Sequence, residues 1–99
     1  MLIETNGSAF NDNLEGTCIV DFYGVACPAC VAYTPIFAQV AQEYEDLKFL
    51  KVNIDNNLAL AQIYGVEYIP TTIKFVDGKP TSKAVGCIEA EQLRSLADS

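Results

Sequence analysis

Basic residues are scarce in this sequence, with six Lys and Arg against thirteen Asp and Glu and a net charge of −7. Recognition of nucleic acid needs basic patches that contact phosphates, so the composition argues against nucleic acid and against anionic membrane surfaces as partners. No apolar run approaches the length of a transmembrane helix. The N-terminal segment has neither the basic region nor the apolar core of a signal peptide, which predicts a cytoplasmic location.

Histidine and tryptophan are absent, and cysteine occurs four times. Internal repeats, linkers and low-complexity tracts are absent as well, and 51% of the 99 residues are apolar. A chain of this size can bury one compact core without stabilising disulfide bonds, so we expect a single domain over residues 1–99. In a reducing compartment, two cysteines close in sequence are more often catalytic or metal-binding than structural.

Strand and helix patterns alternate along the chain. The nearly continuous apolar run at 17–23 is typical of a central strand that is covered on both faces. Asp77-Gly78 predicts a hairpin turn, and Pro35 predicts a kink inside the longest helix. The order of elements predicts an α/β fold with a mixed sheet of about five strands and helices on both faces. The predicted strands are 2–5, 17–23, 48–53, 71–76 and 79–85, and the predicted helices are 8–14, 28–45, 58–64 and 89–97.

A Cys-x-x-Cys motif, Cys27-Pro28-Ala29-Cys30, directly follows the predicted central strand and opens the long helix. Two cysteines at this spacing can form a disulfide, and the helix N-terminus favours the thiolate, which is the nucleophilic form. Structural thiols or half of a zinc site are the alternatives. Zinc needs four ligands, and the chain offers no histidine and no second Cys-x-x-Cys. The motif therefore favours a redox-active pair.

Sequence landmarks on both sides of this motif resemble the thioredoxin family over residues 17–97. The resemblance implies a thioredoxin fold and a protein disulfide reductase in which Cys27 attacks a disulfide and Cys30 resolves the mixed disulfide. It further implies disulfide-containing client proteins, recycling by a flavoprotein thioredoxin reductase, a monomer and no tightly bound cofactor. The landmarks are, in order, IVDFY, the Cys-x-x-Cys motif, Pro35, KVNID, YGVEYIPT, FVDGK and VGCIEAEQL.

The active-site sequence departs from the family's usual Trp-Cys-Gly-Pro-Cys. Ala26 stands in place of the tryptophan, and Pro28-Ala29 stands in place of Gly-Pro. These differences concern the redox potential and the choice of partners rather than the fold. Two alternatives stay open: an oxidase or isomerase that donates or shuffles disulfides, and a non-catalytic thioredoxin-fold binding module.

Asp21 interrupts the apolar run of the central strand. A buried carboxylate is costly, and desolvation raises its pKa, which suits a general base. The resemblance implies that Asp21 deprotonates Cys30, whereas the alternative is a carboxylate at a strand end that faces solvent. The resemblance also implies that Lys51, on the neighbouring strand, approaches Asp21; an exposed strand lysine is the alternative.

Ile69-Pro70 precedes a predicted strand, where the residue before proline is extended or in a turn. The resemblance implies a cis Pro70 that faces the cysteine pair, with the Ile69 backbone pairing with an extended client segment. A trans proline at the end of a loop is the alternative. Ile69 resembles the residue that precedes this proline in reducing members of the family. The expected client-binding residues are Ala26, Pro28, Ala29, Ile69, Pro70, Gly86 and Cys87.

Two further cysteines lie outside the motif. Cys87 follows Gly86 at a position that lines the client groove in the family, so it is either a regulatory thiol or a small residue that fills the groove. Cys18 lies within the central strand, where we expect a buried side chain with little reactivity.

Overall fold

The computed structural model of the protein describes residues 2–5 and 10–99, and it contains one five-stranded sheet. Its strands are β1 (Leu2–Thr5), β2 (Thr17–Tyr23), β3 (Lys48–Asn53), β4 (Thr71–Val76) and β5 (Lys79–Val85). Their order across the sheet is β1-β3-β2-β4-β5. β3 pairs in parallel with β1 and β2, whereas β4 pairs antiparallel with β2 and β5. The predicted mixed sheet is therefore confirmed, with the predicted strand boundaries.

The helices are α1 (Pro28–Glu43), α2 (Leu58–Ile63) and α3 (Ala90–Asp98), with 3-10 turns at Asn11–Asn13 and Ile54–Asn56. α1 ends two residues before the predicted end at 45, because the Tyr44 N–H bonds to the Ala41 carbonyl in a tighter last turn. In the predicted helix 8–14, Phe10 is helical and a 3-10 turn follows, while residues 8 and 9 lie outside the described residues. No helix in the described ranges is long and apolar enough to cross a membrane.

The two faces of the sheet carry separate apolar clusters. Along β2, Ile19 faces α1 and α3, whereas Val20 and Phe22 face the opposite side, because neighbouring strand residues alternate. Both faces are covered, which explains the nearly continuous apolar run of β2. The buried cluster on the α1 side comprises Ile19, Tyr33, Phe37, Val40, Ala41, Phe49, Ile88, Leu93 and Ala97. The opposite one comprises Phe10, Leu14, Cys18, Val20, Phe22, Leu50, Val52, Ile73 and Phe75.

Three parallel strands end at one edge of the sheet, because β1, β2 and β3 run in the same direction. The Cys-x-x-Cys motif follows β2 at this edge, and Asp55 follows β3. The tight hairpin turn lies at the other end of β2, with left-handed φ values of 50° at Asp77 and 84° at Gly78. The carboxyl edge of a parallel sheet is where α/β proteins place their sites.

Candidate active site

Cys27 and Cys30 form a disulfide at the N-terminus of α1, with their Cα atoms 5.2 Å apart. Cys27 is the N-cap residue, and its Sγ accepts a hydrogen bond from the Cys30 backbone N–H at 3.1 Å. Pro28 occupies the first helical turn, where its missing N–H costs no helical hydrogen bond. Cys27 is partly exposed and Cys30 is only 3% exposed, so an incoming disulfide reaches Cys27 first.

The Ile69–Pro70 peptide bond is cis, as the resemblance implied. The Ile69 carbonyl oxygen lies 3.7 Å from Cys27 Sγ, so this loop faces the cysteine pair. The Gly86 N–H donates a hydrogen bond of 2.7 Å to the Pro70 carbonyl oxygen, which brings the segment 86–89 to the same place. Loops from distant parts of the chain therefore meet around Cys27.

The residues predicted to bind clients lie along these loops. In the motif, Ala26, Pro28 and Ala29 are exposed. In the loop that ends at β4, Ile69 is partly exposed and Pro70 is buried. Of the remaining two, Gly86 is partly exposed and lies next to the Pro70 carbonyl, and Cys87 is exposed. The structure thus brings the whole predicted set to one end of the molecule.

The two cysteines outside the motif have opposite environments. Cys18 is fully buried, and its S–H lies 3.2 Å from the Asn13 carbonyl oxygen, which accepts a hydrogen bond from it. Burial raises the pKa of Cys18, which Lys48 offsets only in part, so the expectation of a buried thiol is confirmed. Cys87 is exposed. In the part of the chain that the structure describes, no group of three His, Cys, Asp or Glu side chains could hold a metal ion.

Asp21 is fully buried, which excludes the alternative of a solvent-facing carboxylate. Its register partner on β3 is Lys51, whose Nζ lies 3.8 Å from Asp21 Oδ2, so the predicted approach is confirmed. Neither carboxylate oxygen has a hydrogen-bond partner among the described residues. Burial raises the pKa of Asp21 to about 7, because Lys51 offsets the desolvation only in part and Glu4 adds to the shift. Asp21 can therefore exchange a proton near neutral pH.

Lys51 is held by neighbours other than Asp21. Its Nζ donates a hydrogen bond to Thr34 Oγ1 at 3.1 Å and lies 4.5 Å from the centroid of the Tyr23 ring. The Tyr23 hydroxyl in turn donates to Glu4 Oε2 at 2.8 Å, and burial together with this contact raises the pKa of Tyr23 to about 12. Sequence analysis did not identify Thr34 and Tyr23, because their link to Lys51 joins positions far apart in the chain.

Asp55 is a further residue of the site that sequence analysis did not identify. Its Oδ2 accepts a hydrogen bond of 3.0 Å from the Val25 N–H, which holds the loop before Cys27. A Cβ at Gly24 would lie 2.7 Å from Ile69 Cδ1, so any other residue at this position would require the end of the Ile69 side chain to shift. The available signal was an acidic residue just after β3, at the edge where β2 delivers the motif.

A surface pocket of about 170 Å³ lies beside the buried thiol of Cys30. At roughly 30 Å³ for each water molecule, it can admit a few waters. Two of its lining residues, Tyr23 and Thr34, also contact Lys51, so the pocket borders the Asp21–Lys51 pair. The pocket is lined by Tyr23, Gly24, Val25, Cys30, Val31 and Thr34.

Comparisons with known proteins show the family of this chain. A sequence model of the Thioredoxin family matches residues 1–99. A thioredoxin of Mycoplasmoides gallisepticum is 40% identical over 78 residues, which cover 79% of this chain and 78% of that protein. A thioredoxin of Staphylococcus saprophyticus is 32% identical over 99 residues, which cover 98% and 95% of the two chains. A solved structure of a single-residue mutant of thioredoxin from Halobacterium salinarum has a TM-score of 0.89 at 29% identity, covering 98% of this chain and 88% of that one. With its Cys27–Cys30 disulfide at the start of α1, this chain therefore belongs to the thioredoxin family of thiol–disulfide oxidoreductases.

Proposed function

We propose that this protein reduces disulfide bonds in client proteins through the Cys27–Cys30 dithiol and a mixed-disulfide intermediate. The observation that carries the proposal is the accessible Cys27 at a helix N-terminus, with the buried Cys30 one turn later. A single thioredoxin-like domain over residues 1–99 contains all of the groups that the reaction uses.

Cys27 is the attacking nucleophile. In the reduced protein its thiolate attacks one sulfur of a client disulfide, so that a bond forms between Cys27 Sγ and that sulfur. The client S–S bond breaks, and its other sulfur leaves as a thiolate that takes up a proton. The Cys30 N–H, 3.1 Å from Cys27 Sγ, and the N-terminus of α1 stabilise negative charge on the attacking sulfur.

Cys30 resolves the mixed disulfide by attacking Cys27 Sγ, which releases the second client sulfur as a thiolate and leaves the Cys27–Cys30 disulfide. The Cys30 thiol must first lose its proton. Asp21 accepts this proton as a general base, through water in the pocket beside Cys30, and its pKa of about 7 suits that role. Lys51 opposes the desolvation of Asp21 and so keeps part of the carboxyl ionised at neutral pH.

The client binds as an extended segment along the backbone of Ile69, by strand addition. The Ile69 carbonyl is 3.7 Å from Cys27 Sγ, so a cysteine in that segment meets the nucleophile. The other residues of the client-binding surface are Ala26, Pro28, Ala29, Pro70, Gly86 and Cys87.

A flavoprotein thioredoxin reductase returns the disulfide to the dithiol, and the protein needs no tightly bound cofactor of its own. The protein acts as a monomer in the cytoplasm, where disulfides formed during turnover must be reduced. Nucleic acid and membranes are not among its partners, and the net charge of −7 supports this point.

The midpoint potential of the Cys27–Cys30 pair tests this function. The protein is equilibrated in dithiol buffers of defined potential, and alkylated thiols are counted by mass, with Cys87→Ser as a control that keeps the motif. A strongly reducing potential supports the reductase. An oxidising potential would favour the oxidase or isomerase, and a pair that does not titrate would leave the binding module.

Serine variants test the order of the two steps. Cys27→Ser should abolish reduction of a disulfide-bonded protein, whereas Cys30→Ser should accumulate the mixed disulfide, visible as a mass increase equal to the client. Accumulation in Cys27→Ser instead would assign the nucleophile to Cys30.

A further inference from the structure

The surface around Cys27 carries large apolar side chains without a charged residue in the segment 24–31. Val25 is 68% exposed and Val31 is 66% exposed, and both line the pocket beside Cys30. Because both line the same pocket beside the reactive cysteines, they form one apolar patch, which a docked client would cover.

Tyr68 is the one exposed aromatic side chain in residues 2–5 and 10–99, at 69% exposure. It directly precedes Ile69, whose carbonyl oxygen is 3.7 Å from Cys27 Sγ. The Thr71 hydroxyl donates a hydrogen bond to the Tyr68 carbonyl, which holds the backbone that presents the ring. With alanine at 26, Tyr68 is the aromatic group available to a client segment at this site.

Acidic residues lie on the loops that meet at this apolar patch. Asp55, Glu67 and Glu89 are exposed and lie in the segments 54–70 and 84–91, which contain no Lys or Arg. Two basic residues of the neighbouring strands are already engaged. Lys83 Nζ donates to the Gly65 carbonyl at 2.9 Å, and the side chain of Lys51 is 12% exposed and faces Asp21.

We propose that this face, defined as Val25, Val31 and Tyr68 with the acidic rim Asp55, Glu67 and Glu89, docks client segments whose reacting cysteine has an apolar neighbour and flanking Lys or Arg. The charge complementarity argues for a basic client. Among the described residues the rim carboxylates form no ion pair, and acidic groups within a Debye length of about 8 Å attract cations and raise the association rate. The same charge disfavours a second copy of this chain. The inference rests on the proposed function, since docking must deliver a cysteine to Cys27.

Two disulfide-linked peptide substrates test the charge preference. They share an apolar residue beside the cysteine and differ only in flanking Lys or flanking Glu, and single-turnover reduction is followed together with a small neutral disulfide reagent. At low salt the Lys peptide should react roughly tenfold faster or more, and the ratio should shrink at high salt. Failure to reduce the neutral reagent would overturn the proposed function. Its reduction without a preference between the peptides would overturn this inference alone.

Charge-reversal variants locate the effect. Glu67→Lys should lower the rate with the Lys peptide about threefold or more and raise it with the Glu peptide. Glu15→Lys makes the same charge change just before β2, at the opposite end of the sheet, and serves as the matched control. Equal effects of the two variants would show that net charge, rather than this face, sets the preference.

Removal of the Tyr68 ring tests whether the apolar part of this face contributes to client binding. Tyr68→Ala should raise KM for the Lys peptide more than it lowers kcat, and more than it affects the neutral reagent. Val76→Ala, which shortens an exposed apolar side chain at the far end of β4, is the control. Sedimentation that shows a dimer of the reduced protein, dissociated by Tyr68→Ala, would instead assign the face to a second copy of the chain.

Discussion

Two charged side chains are buried in the same sheet, and they differ in how their polar atoms are satisfied. Lys74 on β4 is 6% exposed, and its Nζ donates hydrogen bonds to the carbonyl oxygens of Ala97, at 3.1 Å, and Ser99. These carbonyls lie at the end of α3, where the helix dipole favours a cation. Asp21 on β2 is completely buried, and its oxygens accept no hydrogen bond from any residue that the structure describes.

The difference distinguishes Lys74, a buried charge with a structural role, from Asp21, which we propose takes part in the reaction. Lys74 satisfies acceptors that a helix end otherwise leaves unpaired. Asp21 has no such contacts, and Lys51 at 3.8 Å is too far for a hydrogen bond. An unsatisfied buried group costs stability, and carboxyl groups with strongly perturbed pKa values cluster at functional sites, which supports the proposed role of Asp21.

Of the variants at these two buried charges, Asp21→Asn should have the largest effect. It should raise the free energy of unfolding at high pH. The folded-state pKa of Asp21 is raised from 3.8 to about 7, so the stability it contributes below pH 4 is lost as pH rises to 7. That shift corresponds to roughly 4 kcal/mol, because each unit is worth about 1.4 kcal/mol. Urea unfolding at pH 9 should show a gain of this order for the variant, and at pH 4 a much smaller one. An equal difference in unfolding free energy between variant and wild type at both pH values would show that folding does not raise the pKa of Asp21.

The same variant should slow the second step of the reaction. Without a base for Cys30, release of the client from the mixed disulfide should fall on the order of 100-fold at pH 7, while attack by Cys27 changes little. Rapid-quench alkylation in single-turnover reactions separates the two steps. An unchanged release rate would remove Asp21 from the mechanism.

Lys74→Met should destabilise the protein by roughly 2 kcal/mol without a change in the redox reaction, because it leaves the carbonyls at the end of α3 unpaired. Lys79→Met, at an exposed position on β5, is the matched control for loss of a positive charge. Urea unfolding and the rate of client release are measured for both variants. A slower release in Lys74→Met would show that the two buried charges are coupled.

Lys51→Met should produce the smallest change, a shift of a pH profile. Lys51 lowers the pKa of Asp21 against the effect of burial, so its removal should move that pKa upward. The pH at which client release reaches half its maximal rate should rise accordingly, with the maximal rate retained at high pH. A profile that does not move would indicate that Asp21 is not the group titrating in this step.

Much of the fold followed from local patterns. The strands were predicted with their boundaries because apolar runs and the Asp77-Gly78 turn act over a few residues. The Cys-x-x-Cys motif and the charged Asp21 within an apolar strand were likewise identified from the sequence. The end of α1 was predicted two residues too late, since the residues at 44 and 45 carry no strong stop signal.

By itself, then, the sequence determined the strands, the helix that begins at Pro28, the redox pair and the isolated carboxylate, because each depends on residues that are neighbours along the chain. Only the tertiary structure decided what surrounds them. Strand register set Lys51 beside Asp21, and α1 brought Thr34 to that lysine. The same folding placed Asp55 against the loop before Cys27, where it accepts a hydrogen bond from the Val25 N–H. Parallel crossovers join positions that no local pattern links.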